Sequence, residues 1–308
     1  MFKLNQTTIQ KPILFSGVGL HSGQIANVKL IPAIDNEGIT FKRVDLKKNN
    51  IIKAIYNNVS SAKLCTTLKN SFGNEVSTVE HLMAAFFISG VHNITLEIDN
   101  NEVPIMDGSS KDFINLIENV GLKKLQTKRK YLKILKKVQL SQGKKFISIE
   151  PSSESFDVSF ELSYDNKIIG NQKNHINFEN KNLFNVYSSR TFCLFEDIEK
   201  IKKNGLAKGG SLENAVVVKG EEILNEGGLR NEKEFVNHKI LDLAGDFLLS
   251  GYRILGSVKC VQGGHHLSNI FLRDLFSDKS NYTEIVVNNI GLLKKDLKTP
   301  VNKLAVNA

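Results

Sequence analysis

The apolar spacing along the chain carries the same punctuation twice. The first half opens on a strand-like run from Ile9 to Phe15, breaks at Ser16-Gly17, and resumes at Val28-Lys29-Leu30-Ile31 before Pro32. The second opens on Tyr131 to Leu140, breaks at Ser141-Gln142-Gly143, and resumes at Phe146-Ile147-Ser148-Ile149 before Pro151. Short apolar runs bounded by Gly, Ser and Pro predict strands. Further on, helical spacing runs from Ser77 to Ser89 and stops at Gly90, with strand-like Asn93 to Ile98 behind it. A second helical stretch, Asn231 to Ser250, stops at Gly251 and leads into Ile254 to Val258. Both glycines suit the left-handed position that ends a helix. His81 stands nine residues before Gly90, and Asp242 nine before Gly251. If the halves are duplicates, those two side chains are structurally equivalent.

Clustered strands that do not alternate regularly with helices point to an α+β protein with antiparallel strands. The expected units are residues 1–127 and 128–308, joined through the basic, polar stretch Lys123 to Lys130, which suits a linker. A ligand pocket is expected at the interface between them. Residues 193–219 interrupt the second unit. There Leu194, Phe195, Ile198 and Ile201 form an apolar helical stripe ending at Gly205, and the loop Lys208-Gly209-Gly210-Ser211 leads to the strand Ala215 to Val218.

Composition narrows the function classes. A chain of 308 residues with 41% hydrophobic and 24% charged positions is an ordinary globular protein. Its net charge of +9 invites a nucleic-acid reading, but only six of the 41 basic residues are arginine, and they are scattered. Nucleic-acid footprints cluster and lean on arginine, so no nucleic-acid partner is expected; attraction to a small anion fits the charge as well. Cys65, Cys193 and Cys260 lie far apart, as in a protein of a reducing compartment. The start, Met1-Phe2-Lys3-Leu4-Asn5-Gln6-Thr7, lacks the apolar core of a signal peptide, and no apolar run approaches the roughly 20 residues that span a bilayer. A cytoplasmic protein without stable membrane insertion is expected.

The candidate chemistry is hydrolytic. His238, Asp242 and Asp246 recur every fourth residue and fall within about 80° on a helical wheel. Alone, that arc reads as the solvated face of an amphipathic helix; Phe235 and Leu249, on the same arc, argue for cover. Two imidazoles, His81 and His238, with the Asp242 carboxylate, are a ligand set for a hydrolytic zinc ion, and three protein ligands leave a fourth position for water acidified to a pKa of about 7. Glu80 has two readings: it completes a capping box on Ser77, or it serves as a base beside the metal. His265 and His266 follow Gly263-Gly264 at a predicted helix start. One of them, paired with Asp246, would stay protonated and stabilise an oxyanion. Gly17-Val18-Gly19-Leu20-His21-Ser22-Gly23 is not a nucleotide loop, because Ser22 occupies the last glycine position and no P-loop lysine follows. There is no H-E-x-x-H and no G-x-S-x-G.

Taken together these segments resemble the UDP-3-O-acyl-N-acetylglucosamine deacetylases, zinc enzymes that commit Gram-negative bacteria to lipid A synthesis. The resemblance runs over nearly the full length and rests on Gly17 to Gly23, Leu64-Cys65-Thr66, Ser77 to Leu82, Pro104 to Ser109, Ser189 to Phe192, Phe235 to Asp246 and Gly264-His265-His266-Leu267. It implies a fold of two similar two-layer α/β-sandwich domains, each with a small insert, and an active site between them. It implies zinc held by His81, His238 and Asp242; the mixed nitrogen and oxygen donors of such a site would suit iron as well. Glu80 matches the family's general base and His265 its cationic acid, with Asp246 as charge partner and Thr191 beside the reacting carbon. Phe192 and Lys239 match substrate-binding positions, and residues 193–219 the passage for the acyl chain. The implied substrate is an acylated UDP-sugar, and a monomer is expected.

Overall fold

The computed structural model describes residues 4–152 and 155–287; the expected second unit's stretch 288–308 lies outside the described residues. The first half contains β1 (Asn5–Ile9), β2 (Ile13–Val18), β3 (Ile25–Pro32), β4 (Ile39–Arg43), β5 (Ile51–Lys53), β6 (Val59–Ser61), β7 (Thr67–Lys69), β8 (Glu75–Val76), α1 (Glu80–Ser89), β9 (Ile94–Ile98), α2 (Lys111–Val120) and β10 (Leu122–Lys128). The second contains β11 (Lys130–Ile134), β12 (Val138–Gln142), β13 (Lys145–Pro151), β14 (Phe156–Ser163), β15 (Asn171–Asn177), α3 (Phe184–Tyr187), β16 (Phe192–Leu194), α4 (Phe195–Lys203), β17 (Val216–Lys219), β18 (Glu222–Ile223), α5 (Glu234–Leu248), β19 (Arg253–Val261), α6 (His265–Ser277) and β20 (Tyr282–Val286).

The two main sheets have one connectivity. The first runs β2-β3-β9-β4-β5, and within the second the path β12-β13-β19-β14-β15 repeats it. In each the third strand is antiparallel to the second and parallel to the fourth. In each a small three-stranded sheet, β6-β7-β8 or β16-β17-β18, separates the fifth strand from the helix that follows. The second sheet adds β11, parallel to β19, and β20, antiparallel to β11. The α+β expectation therefore holds, and the strand order is repeated although the individual breaks are not.

Period-two burial explains why one face of each sheet is covered. In β3, Ala26, Val28 and Leu30 are buried while Ile25, Asn27 and Lys29 are exposed. In β9, Ile94, Leu96 and Ile98 are buried. Helix α2 packs on β2 through Phe113 against Phe15, and α5 packs on β14 through Phe247 against Phe156. Phe87 of α1 crosses to Phe156 and Phe178 of the second half, so one apolar core serves both.

Helices α1 and α5 meet between the sheets, and a glycine sets how closely. A Cβ on Gly245 would lie 2.1 Å from the carbonyl oxygen of Glu80 and 3.0 Å from the amide nitrogen of Ala84. Eight of the ten residues of α1 are buried, and in α5 only Lys239 is not. Neither helix is amphipathic; each is enclosed on all sides, as expected for helices that join two cores. The solvated-face reading of His238, Asp242 and Asp246 is thereby overturned.

Three local expectations are corrected. Ser16-Gly17 is not a turn but lies inside β2; Gly17 is small because a Cβ there would press on Pro104 at 3.1 Å. The real turn comes at Gly19–Gly23, closed by the Gly23 amide donating to the Gly19 carbonyl at 3.0 Å. Lys123 to Lys130 is mostly strand: β10 pairs antiparallel with β1, its lysines directed outward as on many sheet edges. Helix α1 begins at Glu80, not Ser77, because the Ser77 amide donates to the Asn101 carbonyl and Thr78 takes a left-handed backbone, φ 55°. The end of α1 stands as read, at Gly90 with φ 79°. Helix α5 is shorter than the expected 231–250, spanning Glu234–Leu248 with Leu249 as its cap, and Gly251, also at φ 79°, lies two residues beyond.

Gly245→Ala tests the crossing. Forcing a methyl against backbone costs about 1–3 kcal/mol or more, and the melting temperature should fall. The spacing of His81 from His238 and Asp242 should widen with it, so metal uptake should weaken in parallel. Unchanged melting and metal uptake would refute the close approach.

Candidate functional site

The α1–α5 contact brings together side chains more than a hundred and fifty positions apart. His81 comes from the first turn of α1; His238, Asp242 and Asp246 come from one face of α5, and His265 from the first residue of α6. One ligand atom from each of His81, His238 and Asp242 lies within 4.8 Å of the others, and all three side chains are buried. Asp242 Oδ1 is 3.3 Å from His238 Nε2 and 3.5 Å from His81 Nε2, and the imidazole rings stand edge to face at 4.9 Å.

Second partners orient these groups. His238 Nδ1 faces the Ser189 carbonyl at 3.0 Å and so carries the proton, leaving the Nε2 lone pair toward Asp242. Burial pushes the His238 pKa down to about 3, which keeps the ring neutral. Burial alone would raise the Asp242 carboxyl, yet neighbouring positive groups hold it well below its usual range. With His238 neutral, the effective neighbour is the Lys239 ammonium, 2.9 Å from Oδ2. Oδ1 is left buried with no hydrogen-bond partner. A carboxylate oxygen facing two imidazole nitrogens, one of them with its lone pair exposed, is electrostatically unsatisfied. A divalent cation satisfies all three atoms, so this donor set fits a metal ion and could hold one.

Beside the triad lie a carboxyl group and a cation. Glu80 is buried; its Oε2 accepts from the Thr66 amide at 3.0 Å, and its Oε1 is 3.7 Å from His265 Nε2. The capping-box reading of Glu80 is overturned, since the Ser77 amide is taken elsewhere. His265 Nδ1 pairs with Asp246 Oδ2 at 2.9 Å, and Asp246 Oδ1 accepts from the Thr66 hydroxyl at 2.8 Å. Burial opposes charge on His265, but the carboxylates of Asp246, Glu80 and Asp242 outweigh it and lift the pKa to about 10. His266 is exposed at the rim of the polar cavity, whereas His265 is buried against Asp246 and near Glu80.

Two cavities adjoin. A polar one of about 660 Å³ is lined by Lys145, Tyr164, Thr191, Phe192, Lys239 and His265. An apolar one of about 340 Å³ is lined by the Ile198 and Ile201 stripe of α4 together with Leu20, Cys193 and Val217. Leu64, Thr191 and Phe192 line both. Residues 192–223 contain α4 with β16 to β18, and the apolar stripe of α4 faces a cavity. Lys239 Nζ also lies over the Phe192 ring at 5.5 Å.

Several residues at the site carry no sequence signal of their own. Arg190 donates from Nε to Glu234 Oε1 at 2.9 Å, and the Arg190 amide reaches the same oxygen at 3.0 Å. That buried pair fixes Ser189 and Thr191 on either side. His21 and Lys145, on the cavity walls, and Glu102, behind His21, were likewise not singled out. Only the two ends of the chain meeting in space identify them.

The deacetylase family profile described as UDP-3-O-acyl N-acetylglycosamine deacetylase matches residues 6–277. The chain belongs to this family. Among its relatives, UDP-3-O-acyl-N-acetylglucosamine deacetylase of Nautilia profundicola is 40% identical, over 90% of this chain and 94% of its own length. The protein of that name from Francisella tularensis is 41% identical, over 92% of this chain and all of its own. That from Syntrophus aciditrophicus is 38% identical, over 90% and 88%.

Metal titration tests the donor set. Chelator-stripped protein should take up about one divalent ion per chain. At a hundredfold excess over Kd the ion should stabilise the fold by about 2.7 kcal/mol, read as a rise in melting temperature. His238→Ala should abolish both effects while Glu80→Ala keeps them; equal uptake by wild type and His238→Ala would count against the site.

Proposed function

We propose that this protein hydrolyses the acetamide of UDP-3-O-acyl-N-acetylglucosamine, releasing acetate and the free amine, with a zinc ion held by His81, His238 and Asp242; ferrous iron suits the same mixed nitrogen and oxygen donors. The observation that carries this reading is the convergence of that triad with Glu80 and His265 where a polar and an apolar cavity meet. The unit 1–127 supplies Glu80 and His81, and the unit 128–308 supplies the rest. All these groups come from one polypeptide, so a monomer suffices. Among the described residues no helix is long and apolar enough to cross a membrane.

When bound, the ion would acidify a water and polarise the acetamide carbonyl. Glu80, held by the Thr66 amide, takes a proton from the attacking water as general base. His265, kept protonated by Asp246, faces the carbonyl oxygen as negative charge develops there, with the Thr191 hydroxyl on the same cavity wall. The C–N bond breaks as a proton reaches the departing nitrogen, from His265 or returned from Glu80. Acetate and amine leave, and the proton count closes. Lys239 and Phe192 hold the sugar side of the substrate, with Lys239 offering positive charge to the diphosphate. The acyl chain enters the apolar cavity beside α4.

Acetate release from the acylated UDP-sugar, with and without chelator, tests the reaction; absence of release from metal-loaded enzyme would refute it. Glu80→Ala should lower turnover by about 10²-fold or more with metal content unchanged, and a wild-type rate would remove Glu80 as the base.

His265 also makes a pH prediction. It is the acid form that acts, so activity is present below its pKa and lost as pH rises through it. Asp246→Asn removes the largest charge that lifts this pKa, so the basic limb of kcat/KM should move to lower pH. An unmoved limb would break the pairing.

A further inference from the structure

The glycine-rich loop Gly17 to Gly23 has no part in the chemistry above, and neither has the segment Asn101-Glu102-Val103-Pro104. Glu102 joins them. Its side chain is buried, yet its hydrogen-bond donors are neutral: Oε1 accepts from the His21 amide at 2.8 Å and the Thr78 hydroxyl at 2.9 Å, and Oε2 accepts from the Ser22 amide at 2.7 Å. Successive backbone amides wrapped around an anion form a nest of the kind that binds phosphate. Here the anion is an internal carboxylate, which accounts for a loop resembling a nucleotide loop without its lysine. Gly19 makes room for it, since a Cβ there would lie 2.4 Å from Glu102 Oε2.

Each end of this contact leads to a different part of the site. On one side Thr78, with φ 55°, begins the turn that delivers Glu80 and His81. On the other, Leu20 and His21 wall the apolar cavity. The insert is fastened to that wall, with the Gly209 amide donating to the Leu20 carbonyl at 3.1 Å and the Lys208 amide to the His21 carbonyl at 3.3 Å. His21 Nδ1 accepts from the Ala207 amide at 3.4 Å, which leaves the Nε2 proton buried and without a protein partner.

We propose that Glu102 is a positioning residue that ties the wall of the apolar cavity to the turn carrying Glu80 and His81, so that a seated acyl chain contributes to turnover as well as to binding. This rests on the reading of the substrate as an acylated UDP-sugar. Binding energy from a remote part of a substrate raises kcat only where the enzyme links that part to the reacting centre. Glu102 is a direct side-chain link between the two, bonded to His21 and Ser22 on one side and Thr78 on the other.

Glu102→Gln isolates the link. Its amide oxygen can still accept from His21 and Thr78, while its NH2 is set against the Ser22 amide, so the loop is displaced and the turn retained. Acetate release is measured from UDP-3-O-acyl-N-acetylglucosamine and from UDP-N-acetylglucosamine, together with metal content. Wild type must prefer the acylated substrate; if it does not, the substrate reading itself fails. Glu102→Gln should lose about tenfold or more of that preference in kcat/KM, partly in kcat, with acyl-free turnover within about threefold of wild type and metal retained. A preference that survives overturns the proposal, and so does an equal loss on both substrates, which marks a merely structural role. Should Glu102→Gln yield no folded protein, Gly19→Ala, which displaces the same contact with the charge intact, decides by the same ratio.

Discussion

The close passage of α5 over the first turn of α1 is the contact on which the site depends. Gly245 lets the helices approach until one backbone lies against the other. That distance sets how far His81 stands from His238 and Asp242. The crossing is also where the two cores merge, so the ligand set sits on two buried, closely packed helices. A wider helix pair would leave the same residues present and the ligand set apart. The helices end differently: Gly90 caps α1 directly, whereas α5 is capped by Leu249 and the left-handed Gly251 follows two residues later.

Electrostatics explain why such a site tolerates burial. Three carboxyl groups, Glu80, Asp242 and Asp246, lie with Lys239 and His265 among largely buried neighbours. Asp246 is satisfied by the Thr66 hydroxyl and His265, and Glu80 by the Thr66 amide. Thr66 therefore orients both the candidate base and the partner of the candidate acid. Asp242 Oδ1 is buried without a donor among the described residues, and it is the atom that the two imidazole nitrogens face. The unsatisfied Asp242 Oδ1 lies at the point where a cation fits.

Much of this was legible in sequence wherever a local rule operated. Gly90 gave the end of α1, period-two runs gave β3 and β9, and the apolar stripe gave α4. His238, Asp242 and Asp246 shared an arc because helical geometry puts them there. Their burial was not legible, because a face covered by a distant helix has the same spacing as a face in water. Gly17 misled for a related reason: glycine marks either a turn or a close approach, and only Pro104 across the sheet tells which. The lysines of β10 read as a linker because charge on an edge strand leaves no trace of the backbone pairing beneath it. Glu102 was invisible, since its three donors come from two segments far from it in sequence.

The arrangement around β16 gives the two cavities a common wall. Phe192 begins this strand and Thr191 immediately precedes it, with the Thr191 amide donating to the Gly108 carbonyl of the first half at 2.8 Å. A Cβ on Gly108 would lie 2.0 Å from the Asn214 carbonyl oxygen, so the insert is pressed onto the first half there as it is at Gly209 against Gly19. The insert is thus anchored to the opposite half at two points and hangs from its own half by β16 and β17. Its apolar cavity opens beside the candidate catalytic groups because the same short strand lines both spaces. Moving the insert would move Thr191 and Phe192 with it, so the shape of the apolar cavity and the geometry at the reacting carbon are not independent variables.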